Sequence, residues 1–150
     1  MLYLDTSVLV SLLIPEADSP VVRNWIEGQL DEALTTSDWA LVEFASAMGI
    51  KVRQKALKAR QAEEAIGTLG TLAADSLVMQ APTRAACSHA VSLAARFREG
   101  LRAGDALHLA VAMEAGADSF ATLDRNLAAA AKALRLPLRI MDPAARGAVR

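Results

Sequence analysis

The chain has one cysteine, Cys87, so it can form no internal disulfide. A single thiol suits a reducing cytoplasm. In its Ala-rich surroundings Cys87 is expected as a small buried side chain rather than a reactive nucleophile. No apolar run approaches the roughly 20 residues that cross a bilayer. No basic stretch precedes the first apolar segment, and Asp5 interrupts that segment, so neither a membrane span nor a secretory leader is expected. There is no Gly-rich phosphate loop and no Ser nucleophile elbow. The two histidines, His89 and His108, lack a zinc-type partner spacing; His108, three residues after Asp105, is expected as a hydrogen-bonded buried histidine rather than a ligand. Asp5-Thr6-Ser7 has Ser where a phosphoaspartate phosphatase would need its second Asp. No repeat or linker divides the chain, and the Ala run at 128–131 is simply a strong helix former.

What is there is enough for one domain, residues 1–150, with one sizeable core: 53% of the residues are hydrophobic. The net charge is −1, unevenly spread. Residues 84–150 carry ten Lys/Arg against six Asp/Glu, and residues 1–83 carry six against eleven. That basic bias is compatible with a nucleic-acid partner and equally with solvated helix faces.

Hydrophobic periodicity predicts strands at 2–4, 33–36, 77–79, 118–123 and 138–141. The first strand leads into a helix capped by Thr6 or Ser7, with Val8, Leu9, Leu12 and Leu13 on its apolar side. Ser19-Pro20 starts a second helix bearing Val21, Val22, Trp25, Ile26 and Leu30. Ser37-Asp38 starts a third, running to about Leu57 with basic residues toward its end. Further helices are predicted at 61–74, where Gly67 and Gly70 offer room for close helix packing, at 83–98 with a stop at Gly100, at 105–115 with a stop at Gly116, and at 126–134. Residues 144–150 are expected to be loose. The alternation predicts an α/β protein: helices packed on a mainly parallel five-stranded sheet.

Against that frame most acidic residues sit in polar surroundings and read as surface. Four do not. Asp5 ends the first strand, and in open α/β sheets ligands bind outside the carboxyl ends of strands. Glu43 shares a largely apolar helix face with Trp39, Ala40, Ala47 and Ile50. Asp105 opens the apolar helix Asp105-Ala106-Leu107-His108-Leu109-Ala110. Asp124 ends the fourth strand at the same sheet edge as Asp5. The three aspartates also have a plainer reading, since Asp is a common helix cap. Four carboxylates gathered at one place would repel one another unless divalent cations neutralised them, and oxygen-only ligation suits Mg²⁺ or Mn²⁺. Such a cluster is suited to phosphodiester hydrolysis.

These segments together resemble the PIN-domain ribonucleases, and within them the VapC toxins of toxin–antitoxin pairs. Tyr3-Leu4-Asp5-Thr6-Ser7-Val8-Leu9-Val10 is similar to the first motif of that family. Glu43, after Thr36-Ser37-Asp38-Trp39-Ala40-Leu41-Val42, looks like the second acid. Leu101-Arg102-Ala103-Gly104-Asp105-Ala106-Leu107-His108-Leu109-Ala110 is the most specific match. Phe120-Ala121-Thr122-Leu123-Asp124-Arg125-Asn126-Leu127 matches the last motif. The resemblance implies a PIN-like three-layer α/β/α sandwich and a Mg²⁺- or Mn²⁺-dependent endoribonuclease. It also implies a homodimer, an RNA substrate and inhibition by a cognate antitoxin protein. Asp5, Glu43, Asp105 and Asp124 would hold the metal and serve catalysis. Thr6, Ser7 and Thr122 would orient ligands or water from behind them. Two alternatives remain open: a non-catalytic PIN-fold module that binds RNA or protein, and a metal-dependent DNA nuclease.

Arg96, Arg98, Arg102 and Arg125 are candidates for RNA phosphate contact, with ordinary surface arginines as the plainer reading; Arg102 lies about one helical turn before Asp105. Trp25, Trp39, Met48 and Val52 either present an apolar groove for an antitoxin helix or belong to the core.

Overall fold

Strand β1, Leu2–Leu4, is the middle of a five-stranded sheet in this computed structural model, which describes residues 1–29 and 31–145. Both flanking strands pair with it in parallel: β2, Leu34–Ser37, on one side and β4, Ser119–Ala121, on the other. The outer strands are β3, Val78–Gln80, beside β2, and β5, Arg139–Met141, beside β4; both pairings are parallel. The spatial order is therefore β3-β2-β1-β4-β5. The expected mainly parallel sheet is wholly parallel.

Side chains of a strand alternate between faces, and β1 is buried on both. Leu2 and Leu4 belong to one core and Tyr3 to the other. The first core is covered by α1 (Thr6–Leu13), α2 (Ser19–Glu27), α3 (Asp38–Arg53) and α4 (Ala59–Asp75). The second is covered by α5 (Arg84–Ala94), α6 (Ala103–Glu114) and α7 (Arg125–Ala133). The switch of face has a simple cause. The chain steps one way across the sheet from β1 to β3, then reverses through β4 to β5. Parallel crossovers keep one handedness, so reversing direction moves the connecting helices to the opposite face. The reversal leaves a crevice beside β1 at the carboxyl edge of the sheet, where Asp5 stands.

Several boundaries differ from the expected ones. The third helix stops at Arg53, because Lys55 turns the chain at φ 59°. The helix expected to reach Arg98 stops at Ala94; beyond it Phe97 is 89% exposed, so another turn has no apolar face to bury. Gly116 ends α6 as expected, at φ 71°, and Ala117 N–H bonds back to Ala112 O at 3.0 Å. Gly67 and Gly70 face open space, so they are not the sites of close helix packing expected of them. Cys87 is exposed on α5 rather than buried, because the helix turns its Ala86 and Ala90 face to the core. Trp25 and Met48 are core residues and Val52 packs against that core, so of the supposed groove residues only Trp39 remains, half-buried. The expectations for Leu30 and for 146–150 lie outside the described residues. Among those described, no helix is long and apolar enough to cross a membrane.

Candidate active site

Asp5 follows β1 directly and is the N-cap of α1. It is 5% exposed. All its hydrogen bonds fall on one oxygen: Oδ2 accepts from Ser7 N–H at 3.4 Å, Ser7 Oγ at 2.6 Å and Thr122 Oγ1 at 2.8 Å. Ser7 Oγ in turn accepts from Leu123 N–H, and Thr122 Oγ1 from Asp124 N–H, each at 3.0 Å. Ser7 and Thr122 thus clamp the ends of β1 and β4 together and fix the Asp5 carboxylate. Oδ1 is left facing the crevice, 3.6 Å from His108 Nε2.

Glu43 comes from α3 and meets this group from the side. Its Oε2 accepts from Thr6 Oγ1 at 2.8 Å and lies 2.7 Å from His108 Nε2. Burial opposes ionisation of Glu43, but the hydrogen bond and charge of His108 and the Thr6 hydroxyl outweigh it, so its carboxyl lies below the ordinary value. His108 itself is 1% exposed; its Nδ1 lies 2.9 Å from the Tyr3 hydroxyl, which donates to Ser37 Oγ at 2.8 Å. The ring packs edge-on to Tyr3, which stacks on Phe120 with centroids 5.4 Å apart. His108 is therefore the hydrogen-bonded buried histidine anticipated from the sequence. Its neighbours are less expected: the donor atoms of Asp5, Glu43 and His108 all lie within 4.8 Å of one another.

Gly104, in the first turn of α6, makes room for Glu43. A β-carbon there would overlap Glu43 Oε1 and touch Trp39 Nε1 at 3.4 Å. That indole nitrogen is buried without a hydrogen-bond partner among the described residues. Sequence reasoning missed Gly104; its only signal is a glycine inside the third acidic motif.

Asp105 and Asp124 form the other half of the site, and Arg102 joins them. Asp105 sits at the third position of α6, where its Oδ2 accepts from Arg102 N–H at 3.3 Å and from Arg102 Nε at 3.0 Å. Asp124 caps α7: its Oδ1 accepts from Asn126 N–H at 2.8 Å and Leu127 N–H at 3.1 Å. Its Oδ2 takes Arg102 Nη2 at 2.5 Å. Asp5 and Asp124 thus each cap a helix, the plainer reading, and both also line the cleft. The four acids line one cleft of about 690 Å³, with Thr6, Ser7, Glu16 and Asp18 on its walls. Of the candidate arginines only Arg102 lines it; Arg125 lines a depression beside it with Lys132 and Asp142, and Arg96 and Arg98 follow α5 on the surface.

The donor chemistry fits a hard divalent cation. Four carboxylates line one cleft; two of them, Asp5 and Glu43, have donor atoms within 4.8 Å of each other and of His108, while Asp105 and Asp124 lie outside that close group.

The PIN domain family profile matches residues 2–133. No curated protein matches the chain by sequence. Among solved structures, FitAcB from Neisseria gonorrhoeae is 20% identical, with 95% of this chain and 98% of that one covered at a TM-score of 0.67. Mycobacterium tuberculosis VapC20, a Sarcin-Ricin loop cleaving toxin, is 18% identical over 93% of this chain and 99% of that one, at a TM-score of 0.68. VapBC2 from Rickettsia felis, bound to a DNA fragment from its promoter, is 17% identical over 95% and 98% of the two chains, at 0.65. At such identities the likeness is one of fold. The family follows from the profile, which covers both strands of the crevice and all four acids: the chain belongs to the PIN domain family.

Proposed function

We propose that this protein is a divalent-metal-dependent endoribonuclease toxin of the VapC type, inhibited by a cognate antitoxin. The observation that carries the reading is the cleft: six carboxylates line it (Asp5, Glu16, Asp18, Glu43, Asp105 and Asp124), and among the described residues Arg102 on its wall and Lys51, paired with Glu16 from outside, are the cations that offset them. Carboxylates gathered like this favour Mg²⁺ or Mn²⁺ over an empty site. When bound, such an ion supplies a nucleophile at neutral pH and stabilises charge on an RNA phosphate. Asp5, Glu43, Asp105 and Asp124 hold the metal. Ser7 and Thr122 keep Asp5 Oδ2 occupied, which leaves Oδ1 for the ion. Thr6 and His108 fix the Glu43 carboxylate in its ionised form. Arg125, at the rim, meets a neighbouring phosphate of the RNA. Arg96 and Arg98 lie off the cleft and serve, if at all, a more distant stretch of the strand. Of the solved relatives named above, one is a Sarcin-Ricin loop cleaving toxin and another is VapBC2 bound to a DNA fragment from its promoter, which supports the toxin reading and the antitoxin partner; the homodimer and the place in the cytoplasm are carried over from the family resemblance alone.

Asp5→Asn tests the reading cleanly. Its three hydrogen bonds all fall on Oδ2, so an amide oxygen satisfies them while the metal-facing atom becomes an NH₂. Asn is also a good helix cap. Purified protein, free of any partner, is incubated with a pool of cellular RNAs and Mg²⁺ or Mn²⁺, and new RNA ends are mapped. Discrete ends from the wild type, lost with Asp5→Asn and with EDTA, are expected. Cleavage by a folded Asp5→Asn protein would remove Asp5 from the site. A folded wild type that neither cleaves nor binds metal would favour the binding-module reading.

A further inference from the structure

Arg102 is 70% exposed, yet its guanidinium does not lie free in solvent. It spans two acids from different elements, Asp105 on α6 and Asp124 at the head of α7, three and twenty-two residues along the chain from it. The oxygens it takes are informative. Asp124 Oδ1 is committed to the α7 cap, so Oδ2 is the only oxygen of that residue left for the cleft, and Arg102 Nη2 holds it. Asp105 Oδ2 is shared between Arg102 N–H and Nε, and Oδ1 meets Nη2 at 3.4 Å. Among the described residues Arg102 is also the only cation on the wall of a cleft that carries six carboxylates. These two acids push its guanidinium further toward the charged form, Asp105 most.

From this arrangement we infer that Arg102 is an internal counter-cation that competes with the divalent ion for Asp105 and Asp124. The inference rests on the metal-dependent reading of the cleft. In the metal-free protein Arg102 neutralises this pair, while Asp5 and Glu43 are held by neutral hydroxyls and His108. A divalent cation on Asp124 Oδ2 would stand within a few ångströms of the guanidinium that already holds that oxygen, so the two cations repel each other there. Displacement is sterically open, because the side chain is largely exposed and its backbone is fixed only by the start of α6. Arg102 thereby weakens metal binding rather than assisting it, and metal loading releases it to the mouth of the cleft.

The test is Mn²⁺ binding to the full chain, read by the electron paramagnetic resonance of free Mn²⁺ and by calorimetry, without RNA. Wild type is compared with Arg102→Gln, Arg102→Lys and Arg125→Gln. The last removes one positive charge beside Asp124 from a residue that bonds neither acid. Two largely exposed ion pairs are lost in Arg102→Gln, so Mn²⁺ should bind about tenfold tighter. Arg102→Lys should fall between, since a lysine keeps the charge but not the planar fork. Arg125→Gln should stay within about twofold of wild type, its charge being screened by solvent. An equal gain from Arg125→Gln would make the effect one of net charge and overturn the inference. Unchanged or weaker binding by a folded Arg102→Gln would also overturn it, and would show Arg102 to be an organiser of the site. These results leave the metal-dependent reading standing, because wild type still binds. If no variant binds Mn²⁺, that reading falls and the inference falls with it.

Discussion

Gly104→Ala separates the fold of this protein from its chemistry. The new methyl group overlaps Glu43 Oε1, whereas the backbone around it is already helical. Alanine is favoured over glycine in a helix by about 1 kcal/mol, somewhat less in a first turn. Glu43 must swing aside and gives up its hydrogen bonds to Thr6 and His108. Hydrogen bonds to charged groups contribute about 1.5–3 kcal/mol when buried. Glu43 is 29% exposed, so solvent replaces part of each and the loss for the pair is about 1–2 kcal/mol. The two effects nearly cancel, and stability should fall by no more than about 1 kcal/mol, a change in Tm of roughly 2–4 °C. Catalysis has no such compensation. A ligand displaced by on the order of 1 Å costs on the order of a hundredfold in rate. The assay pairs thermal unfolding in EDTA with initial rates of RNA cleavage in Mn²⁺. Full cleavage by Gly104→Ala would refute the argument that this glycine exists to admit Glu43. A collapse in Tm with it would show that the space is needed by the core instead.

Three further predictions concern stability. Gly67→Ala and Gly70→Ala, both facing open space on α4, should each stabilise by about 0.5–1 kcal/mol in denaturant titrations; a loss would mean that the outer face of α4 is covered. Burial, chiefly, raises the Tyr3 hydroxyl well above its ordinary value. The unfolded chain therefore ionises first, near pH 10, and stability falls as pH rises above that point. Tyr3 is the only tyrosine, so tyrosinate absorbance should appear only as helical circular dichroism is lost; ionisation within the folded protein would contradict the hydrogen-bonded burial of Tyr3. Glu43 has the opposite sign: its folded value is depressed, so its contribution is complete above the unfolded value, about 4.3, and is lost as pH falls through the folded one. Wild type should lose stability with falling pH more steeply than Glu43→Gln, and parallel curves would remove the carboxylate from the linkage.

The sequence alone determined the alternation of strands and helices, because hydrophobic periodicity is a local property. It also placed Asp5 at a strand end, as found, and Asp124 at another, where the strand in fact stops at Ala121 and Asp124 caps the helix that follows; parallel strands bring such ends to one edge. Helix ends were less legible. The stop at Ala94 depends on Phe97 finding nothing to pack against, and that is a tertiary fact. The same holds for Cys87, whose exposure depends on which face of α5 meets the sheet.

What the tertiary structure decided was how the acids are divided. Glu43 and His108 are 65 residues apart and meet through a gap that only a glycine at 104 leaves open. Arg102 reads in sequence as one exposed arginine among several. Its partner Asp124 is the N-cap of α7, and its nearness to the start of α6 sets the guanidinium between two carboxylates. Periodicity specifies which face a residue occupies, whereas charge pairing depends on distances of a few ångströms between elements distant in the chain. Those distances are set by packing.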